Sequence, residues 1–355
     1  MVARKRAQEL GLAAVARMAG VSTATVSNTL NRPEVVSEAT RARVLSAIEE
    51  LEFVPNRSAS TLRTGTNHLI GLLVPEIVNP FYAAIAKAVA DAARVRGYVT
   101  GLCVSDDDAD IELEHIRMLA EQRAAGAIVV PLAADMSRLL KLRLVGAHFV
   151  LVDRRLPEAS GCSVAIDDVR GGFLAVEHLL RTTDGPIALI NGPAWIPQCM
   201  EREAGARAAL DAHGIAQGRL IVAEVPQMTI EEGARAARSL AETGLVGAFC
   251  TNDQLAVGAI RGFTESGLSV PGDVAVVGYG DLALATEALV PLTTVSQPKD
   301  VLGRTAVELL VDEIEADGGA GEHVHEARLL DPVMIVRASA PGNTVDAFDN
   351  VERVV

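Results

Sequence analysis

Several kinds of residue are scarce in this sequence. Aromatic residues make up 3% of the 355 residues and charged residues 22%, whereas hydrophobic residues make up 49%. A chain so rich in aliphatic side chains is a folded globular protein and not a disordered one. Its length leaves room for a small domain beside one large domain or two lobes.

Long apolar runs and clustered cysteines are absent too. No run of about 18 uncharged apolar residues occurs, and the first residues hold no signal-peptide segment, so we expect a cytoplasmic protein without a membrane partner. The cysteines lie far apart, with no Cys-x-x-Cys pair, at Cys103, Cys162, Cys199 and Cys250. We expect reduced, buried thiols and not disulfides or zinc ligands.

The chain as a whole has no excess of basic residues, since its formal net charge is -14. The first 65 residues differ, with 9 basic and 6 acidic residues. Positive charge gathered in one short segment is typical of contact with nucleic-acid phosphates. The basic side chains that we expect to be available for this contact are Arg4, Lys5, Arg6, Arg32, Arg41, Arg43, Arg57 and Arg63.

The same segment predicts a helix-turn-helix followed by a third helix. The apolar positions of the first helix are Leu12, Val15, Met18 and Ala19. A tight turn at Gly20 leads to a second helix that Ser22 can cap. Its polar face holds the small side chains Thr23, Thr25, Ser27 and Asn28, which suit close approach to base edges and phosphates. The third helix, capped by Ser37, has the apolar stripe Val44, Leu45, Ile48 and Leu51.

From residue 68 onward, apolar strands alternate with amphipathic helices. The predicted strands are residues 68–75, 98–105, 126–131, 148–153, 186–192, 220–225, 247–252 and 273–281. Such runs predict an α/β fold of parallel sheets covered on both faces, in two doubly wound lobes. Polar residues follow several strands, and ligands of such folds bind at the carboxyl ends of strands, here in the cleft between the lobes.

The order and spacing of nine short motifs resemble the lactose/galactose repressor (LacI/GalR) family of bacterial transcription regulators, from about residue 12 to residue 340. These motifs are VARMAGVS (15–22), TVS (25–27), VSEATR (36–41), PNR (55–57), NPF (79–81), VDRR (152–155), ND (252–253), PGDV (271–274) and PLTTV (291–295). The resemblance implies a homodimeric repressor that binds a pseudo-palindromic operator DNA and senses a small-molecule effector. The sensor would have two lobes, similar to periplasmic sugar-binding proteins.

The resemblance also implies a domain layout and a set of DNA contacts. The domains are a headpiece at residues 1–55, a hinge helix or linker at 56–67, the two-lobed sensor at 68–340 and a disordered tail at 341–355. In the headpiece, the implied contacts are Thr23, Ala24, Thr25, Ser27 and Asn28. In the hinge they are Asn56, Arg57, Ala59 and Leu62, with Leu62 as a minor-groove wedge. Many relatives carry arginine where Asn28 stands, and asparagine favours adenine over guanine.

In the sensor, the resemblance implies an effector pocket. Its lining residues would be Phe81, Asp153, Arg154, Ile196, Gln198, Arg202, Met228, Asn252 and Asp281. Relatives usually carry aspartate where Gly280 stands, which weakens the case for an ordinary pyranose held by a carboxylate. A sugar derivative is favoured slightly over a less polar metabolite as the effector.

Two alternatives stay open, namely an enzyme or a small-molecule (sugar) binding protein on the same two-lobed fold. The sequence holds no Gly-x-x-x-x-Gly-Lys phosphate loop and no nucleophile elbow, so we expect neither catalysis nor a cofactor. His323 and His325 form a His-x-His pair in a glycine-rich stretch, where we expect no metal. The helix-turn-helix and the missing export signal disfavour a transport protein.

Overall fold

The computed structural model describes residues 11–53, 67–132, 139, 148–156, 160–317 and 323–342. The chain divides between Asn67 and His68 into two compact units. The headpiece lies in the first unit, and both lobes of the sensor lie in the second. No helix within the described ranges is both long and apolar enough to span a bilayer.

The headpiece contains three helices around a small core. They are α1 (Leu12–Ala19), α2 (Thr23–Asn31) and α3 (Glu38–Glu50), with a 3-10 turn at Pro33–Val35. Gly20 ends α1 in the left-handed conformation (φ 62°), and the backbone N–H of Val21 donates to Ala16 O at 2.9 Å. Glycine takes this conformation without the steric cost that a side chain brings. Ser22 then caps α2, since its Oγ accepts the Thr25 N–H at 3.1 Å. The predicted helix-turn-helix is present.

The core of the headpiece differs in part from the predicted stripes. Its buried residues are Val15, Ala16, Ala19, Val26, Val44 and Ala47. Leu12, Met18 and Leu45 were expected inside, but 40%, 45% and 50% of their surfaces are exposed. Three short helices share one narrow contact region, so alanines that allow close approach fill it and larger residues at its margin stay outside. Ser37 precedes α3, but its Oγ donates to Thr40 Oγ1 and makes no cap to the backbone.

The first lobe of the sensor is a six-stranded parallel sheet in the order β11-β5-β4-β3-β1-β2. Its strands are β1 (Leu69–Val74), β2 (Val99–Val104), β3 (Gly126–Val129), β4 (Phe149–Val152), β5 (Ser163–Ile166) and β11 (Ala327–Leu330). Its helices are α4 (Pro80–Val95), α5 (Ala109–Glu121) and α11 (Lys299–Glu315). The helices α4 and α11 bury Ile85, Val89 and Leu310 against one face of the sheet, and α5 buries Ile116 against the other.

The second lobe has a sheet in the order β12-β10-β9-β8-β6-β7. Its strands are β6 (Ile187–Asn191), β7 (Leu220–Glu224), β8 (Gly247–Cys250), β9 (Ala275–Gly280), β10 (Thr293–Ser296) and β12 (Val333–Ile335). Its helices are α6 (Asp168–Thr182), α7 (Pro197–Ala212), α8 (Ile230–Leu240), α9 (Asp253–Glu265) and α10 (Ala283–Glu287), with a 3-10 turn at Gln217–Arg219. All strand pairs are parallel except β10 and β12, so this sheet has one antiparallel edge.

The chain passes between the lobes three times. It leaves the first lobe after β5 through Asp167, returns after β10 through residues 297–298, and leaves again after β11 through residues 331–332. The strands predicted from the sequence do not include β5, β10, β11 or β12, each of which is only three or four residues long. Neither lobe is therefore one continuous stretch of chain.

Helices α6 and α7 approach each other closely in the second lobe because each carries a glycine at the crossing. A Cβ atom on Gly172 would lie 2.0 Å from Arg202 O, and one on Gly205 would lie 1.9 Å from Val169 O. Both neighbours are backbone atoms, so no side-chain rotation could make room.

We expect Gly205→Ala to destabilise the protein by roughly 1–3 kcal/mol, because the added methyl group must push α6 and α7 apart. The control is Gly218→Ala, since a Cβ there meets nothing within 4 Å. Urea unfolding of the full chain measures both. Equal stabilities of the two variants would show that the helices can separate without cost.

Candidate DNA-reading helix and effector cleft

The exposed face of α2 is formed by small side chains. Thr23, Ala24 and Asn28 are exposed, while Thr25 and Ser27 are half-buried. The Thr25 hydroxyl lies 2.9 Å from Ser22 Oγ, within the cap. The opposite face is anchored by buried Val26 and Thr29, which fixes the rotation of α2 about its own axis. The face of α2 that is predicted to read DNA is thus accessible to the major groove of DNA. The predicted hinge contacts, Asn56, Arg57, Ala59 and Leu62, lie outside the described residues, as do residues 54–66 and the tail beyond Gly342.

The cleft of the sensor lies at the carboxyl ends of the strands of both lobes. In the first lobe, Asn79 follows β1 and caps α4, with Oδ1 accepting the Phe81 N–H at 3.0 Å. Phe81 itself is buried in the core of the first lobe, and its ring lies 5.4 Å from that of Tyr82. Phe81 was expected to line the pocket, but its main contacts are with this core.

Asp153 and Gln198 join the two lobes across the cleft. Asp153 follows β4 in the first lobe, and Gln198 lies in the first turn of α7 in the second. Gln198 Nε2 donates to Asp153 O at 2.9 Å and to Asp153 Oδ2 at 2.8 Å. Burial and the negative charge of Asp168 raise the pKa of Asp153 to about 7, against the opposing effect of Arg202. At neutral pH this carboxyl group can therefore both donate and accept a hydrogen bond.

Arg202 is buried and held from three sides. Its Nε donates to Asp168 Oδ1 at 2.8 Å, and its Nη1 donates to Thr251 O at 2.7 Å. The guanidinium lies 3.8 Å from the centre of the Tyr279 ring, and Tyr279 Oη donates to the same Asp168 oxygen at 2.6 Å. Burial and the Asp168 carboxylate raise the pKa of Tyr279, so its hydroxyl remains a donor. These bonds engage Nε and Nη1 with the protein itself, and the implied contact of Arg202 with effector oxygens stays a prediction.

Asn252 and Asp281, which the family resemblance places in the pocket, also make hydrogen bonds within the protein. Asn252 caps α9, with Oδ1 accepting the Leu255 N–H at 2.7 Å, and its Nδ2 donates to Met228 O at 2.9 Å. Both ends of its amide thus serve the protein in this conformation. Asp281 Oδ1 accepts a 2.7 Å hydrogen bond from Arg337 Nη2. Arg337 is not among the residues predicted from the sequence, because no local pattern could reveal a partner 56 residues away.

The remaining predicted pocket residues keep surface available. Arg154, Ile196, Gln198 and Met228 are all half-buried. Two buried polar atoms here, Asp153 Oδ1 and Arg154 Nε, have no hydrogen-bond partner among the described residues. Burying a polar atom without a partner is costly, which makes these two atoms candidates for contact with a ligand. Two atoms in adjacent residues thus mark the cleft side of the first lobe.

Models of two protein families match the chain. Residues 12–56 match the bacterial regulatory proteins of the lacI family, and residues 169–340 match the periplasmic binding protein-like domain. The HTH-type transcriptional repressor PurR of Aliivibrio fischeri (strain ATCC 700601 / ES114) is 34% identical over 92% of this chain and 96% of its own length. The chain belongs to the LacI family. This LacI-family protein is therefore a DNA-binding regulator of transcription, and the expectation that it is not an enzyme is confirmed.

Solved structures agree with this assignment. The complex of the transcriptional regulator CelR with cellobiose is 33% identical to this LacI-family protein, with a TM-score of 0.68, and the match covers 93% of this chain and 99% of that one. The lac repressor dimer bound to operator and the anti-inducer ONPF is 27% identical, with a TM-score of 0.80 and coverage of 92% and 98%. The predicted headpiece and two-lobed α/β sensor are confirmed.

We expect Asp153→Asn to change how stability depends on pH. Between about pH 4 and pH 7 the carboxyl group stays protonated in the folded protein but ionises in the unfolded chain. The free energy of unfolding should therefore fall as the pH rises through this window. The asparagine variant should lose that part of the decrease, on the order of 1–4 kcal/mol. Urea unfolding at pH 5 and pH 8 measures it.

Asp106→Asn is the matched control, because Asp106 is exposed and lies in a loop of the same lobe. Its pH profile should follow that of the original protein. Identical profiles for all three proteins would show that Asp153 is ionised in the folded state throughout this range.

Proposed function

We propose that this protein is a homodimeric cytoplasmic repressor that binds a pseudo-palindromic operator through α2 and releases or grips it in response to a small molecule in the cleft. The exposed face of Thr23, Ala24 and Asn28 on a helix capped by Ser22 carries the DNA-binding part. Two such helices related by a twofold axis would read two half-sites. The lac repressor structure, a dimer on its operator, supports this assembly.

Base reading is assigned mainly to Asn28 in this proposal. An asparagine amide can form two hydrogen bonds to one adenine at once, donating to N7 and accepting from N6. Neither a methyl group nor a hydroxyl group can do this. Thr23 and Ala24 would lie near the same base edges, and Thr25 and Ser27 near phosphates. Asn28 is fully available for this, because it is exposed on α2.

We expect Asn28→Arg to move the base preference at one position of each half-site from adenine towards guanine, because arginine pairs with guanine O6 and N7. Selection of binding sequences from a random DNA pool by the two full-length proteins measures this change. Glu49→Gln, on α3, is the control and should leave the selected sequence unchanged. The same selected sequence for Asn28→Arg would remove Asn28 from base reading.

The effector site is assigned to the cleft between Asp153, Arg154 and the start of α7. The partly protonated Asp153 carboxyl and the Arg154 guanidinium suit a ligand that both donates and accepts hydrogen bonds, as hydroxyl groups do. Ile196 and Met228 add apolar surface, which suits the less polar face of a sugar ring or a flatter metabolite. Arg202, Asn252 and Asp281 position the walls of this site. The cellobiose bound to CelR supports a sugar derivative.

We expect at least one of three probes, cellobiose, D-ribose or adenine, to raise the melting temperature and change the fluorescence of Trp195. Trp195 is the only tryptophan, and it is 66% exposed one residue before Ile196. Arg154→Gln should then weaken binding about 10- to 100-fold, since a charge-assisted hydrogen bond is lost.

The neighbouring Arg155→Gln is the control, because Arg155 is exposed and should tolerate the same change. Equal affinities of the two variants would move the site away from Arg154. If no probe binds, none of cellobiose, D-ribose and adenine is the effector, and the expectation of binding among these three is wrong.

A further inference from the structure

Against the expectation from the sequence, we propose that Cys162, Glu313, His323 and His325 form a binding site for a divalent transition-metal ion, with zinc as the first candidate. One donor atom from each of these residues lies within 4.8 Å of all the others. The site is in the first lobe of the sensor, at the amino ends of its strands. The effector cleft lies at the carboxyl ends, so the two sites are at opposite edges of the sheet.

The pairing of β5 and β11 brings the ligands together. Ala327 lies opposite Ser163 in the parallel register, and the Ser163 N–H donates to Glu326 O at 2.9 Å. The residues before the two strands therefore run side by side, which places His325 next to Cys162. The helix α11 packs over these strands, and its last turns supply Glu313. The His-x-His pair is thus held against a thiol that is 161 residues earlier in the chain.

The distances between the donor atoms are close to those of a tetrahedral site. Cys162 Sγ lies 3.1 Å from His323 Nε2 and 3.7 Å from His325 Nδ1. With Zn–S near 2.3 Å and Zn–N near 2.0–2.1 Å, ligand atoms around one zinc ion are about 3.3–3.7 Å apart. The two imidazole rings are tilted by 64° with centres 5.0 Å apart, so they are not stacked on each other. Adjustments of less than about an ångström would bring the four donors around one ion.

The type of donor selects the class of metal. One sulfur, two imidazole nitrogens and one carboxylate oxygen suit zinc and neighbouring transition metals, whereas magnesium and calcium prefer oxygen ligands only. Cys162 would bind as the thiolate, and its proton would pass to solvent. Cys162 is fully buried and Glu313 is 6% exposed, so a dication would add positive charge where water is largely excluded.

A neighbouring histidine supports the carboxylate ligand. His148 Nδ1 lies 3.4 Å from Glu313 Oε1, and its Nε2 lies 3.3 Å from Asp317. Contacts of this kind orient metal ligands and are found around most metal sites in proteins. The ion would link the end of α11, the start of β5 and the segment before β11. It would thus fasten the edge strand that the chain adds last to the first lobe.

The test uses the full-length protein without a histidine tag. Bound metal is first removed with a chelator, and the chelator is then removed. Titration with Co²⁺ should give one ion per chain, with the visible bands of tetrahedral cobalt and a thiolate-to-cobalt charge-transfer band. Zn²⁺ should displace the cobalt and raise the melting temperature. Cys162→Ser should abolish the charge-transfer band, and His323→Gln should weaken Zn²⁺ binding about 100-fold or more.

Cys103→Ser and His213→Gln are matched controls elsewhere in the sensor, and both should keep the band and the affinity. His323 is half-buried, so its variant tests the site even if Cys162→Ser fails to fold. Binding of less than one ion per chain would mean an adventitious ion only. The same conclusion would follow if the folded Cys162 and His323 variants kept the charge-transfer band or the Zn²⁺ affinity unchanged. The proposed metal site is independent of the proposed operator and effector. If either of those proposals fails, this test of the metal site still applies.

Discussion

The buried ion pair between Asp168 and Arg202 joins α6 to α7 in the second lobe, directly after the first passage between the lobes. It forms only because α6 and α7 cross at two glycines, which lets the guanidinium reach the carboxylate. Removing one partner of such a pair would leave a buried charge, at a cost of about 3–5 kcal/mol. Asp168 begins α6 directly after the first passage between the lobes, and Arg202 lies one turn from Gln198 on α7. The pair thus sets where Gln198 meets Asp153 of the other lobe.

This arrangement explains how a small molecule can act on a distant helix. The lobes touch in part through the hydrogen bonds of Gln198 to Asp153, which lie at the cleft. A ligand at Asp153 and Arg154 must compete with or add to those bonds, and so it changes the preferred angle between the lobes. Any effect of the ligand on DNA affinity must be matched by an equal effect of DNA on ligand affinity.

Local patterns predicted local structure well. The cap at Ser22 and the turn at Gly20 depend on neighbouring residues only, and both are present. The burial of Leu12 was misjudged, because helical spacing identifies a stripe but not which of its members reaches a shared core. Roles that depend on partners distant in the sequence could not be predicted from local patterns. The family resemblance implies that Arg202 holds a ligand, but it could not show that Asp168, 34 residues away, accepts the hydrogen bond of its Nε.

The three passages between the lobes determine the order in which the parts of the sensor can fold during synthesis at the ribosome. The first lobe begins with β1, yet α11, which covers one face of its sheet, ends only at Glu315, and its edge strand β11 ends at Leu330. Until those residues emerge, Ile70 and Val150 lack the apolar partners that Leu302 and Leu310 provide. The nascent chain therefore carries an incomplete apolar sheet through most of its translation, a state that attracts chaperones and favours aggregation. The headpiece, whose core is made entirely of early residues, can fold long before the sensor that is to control it.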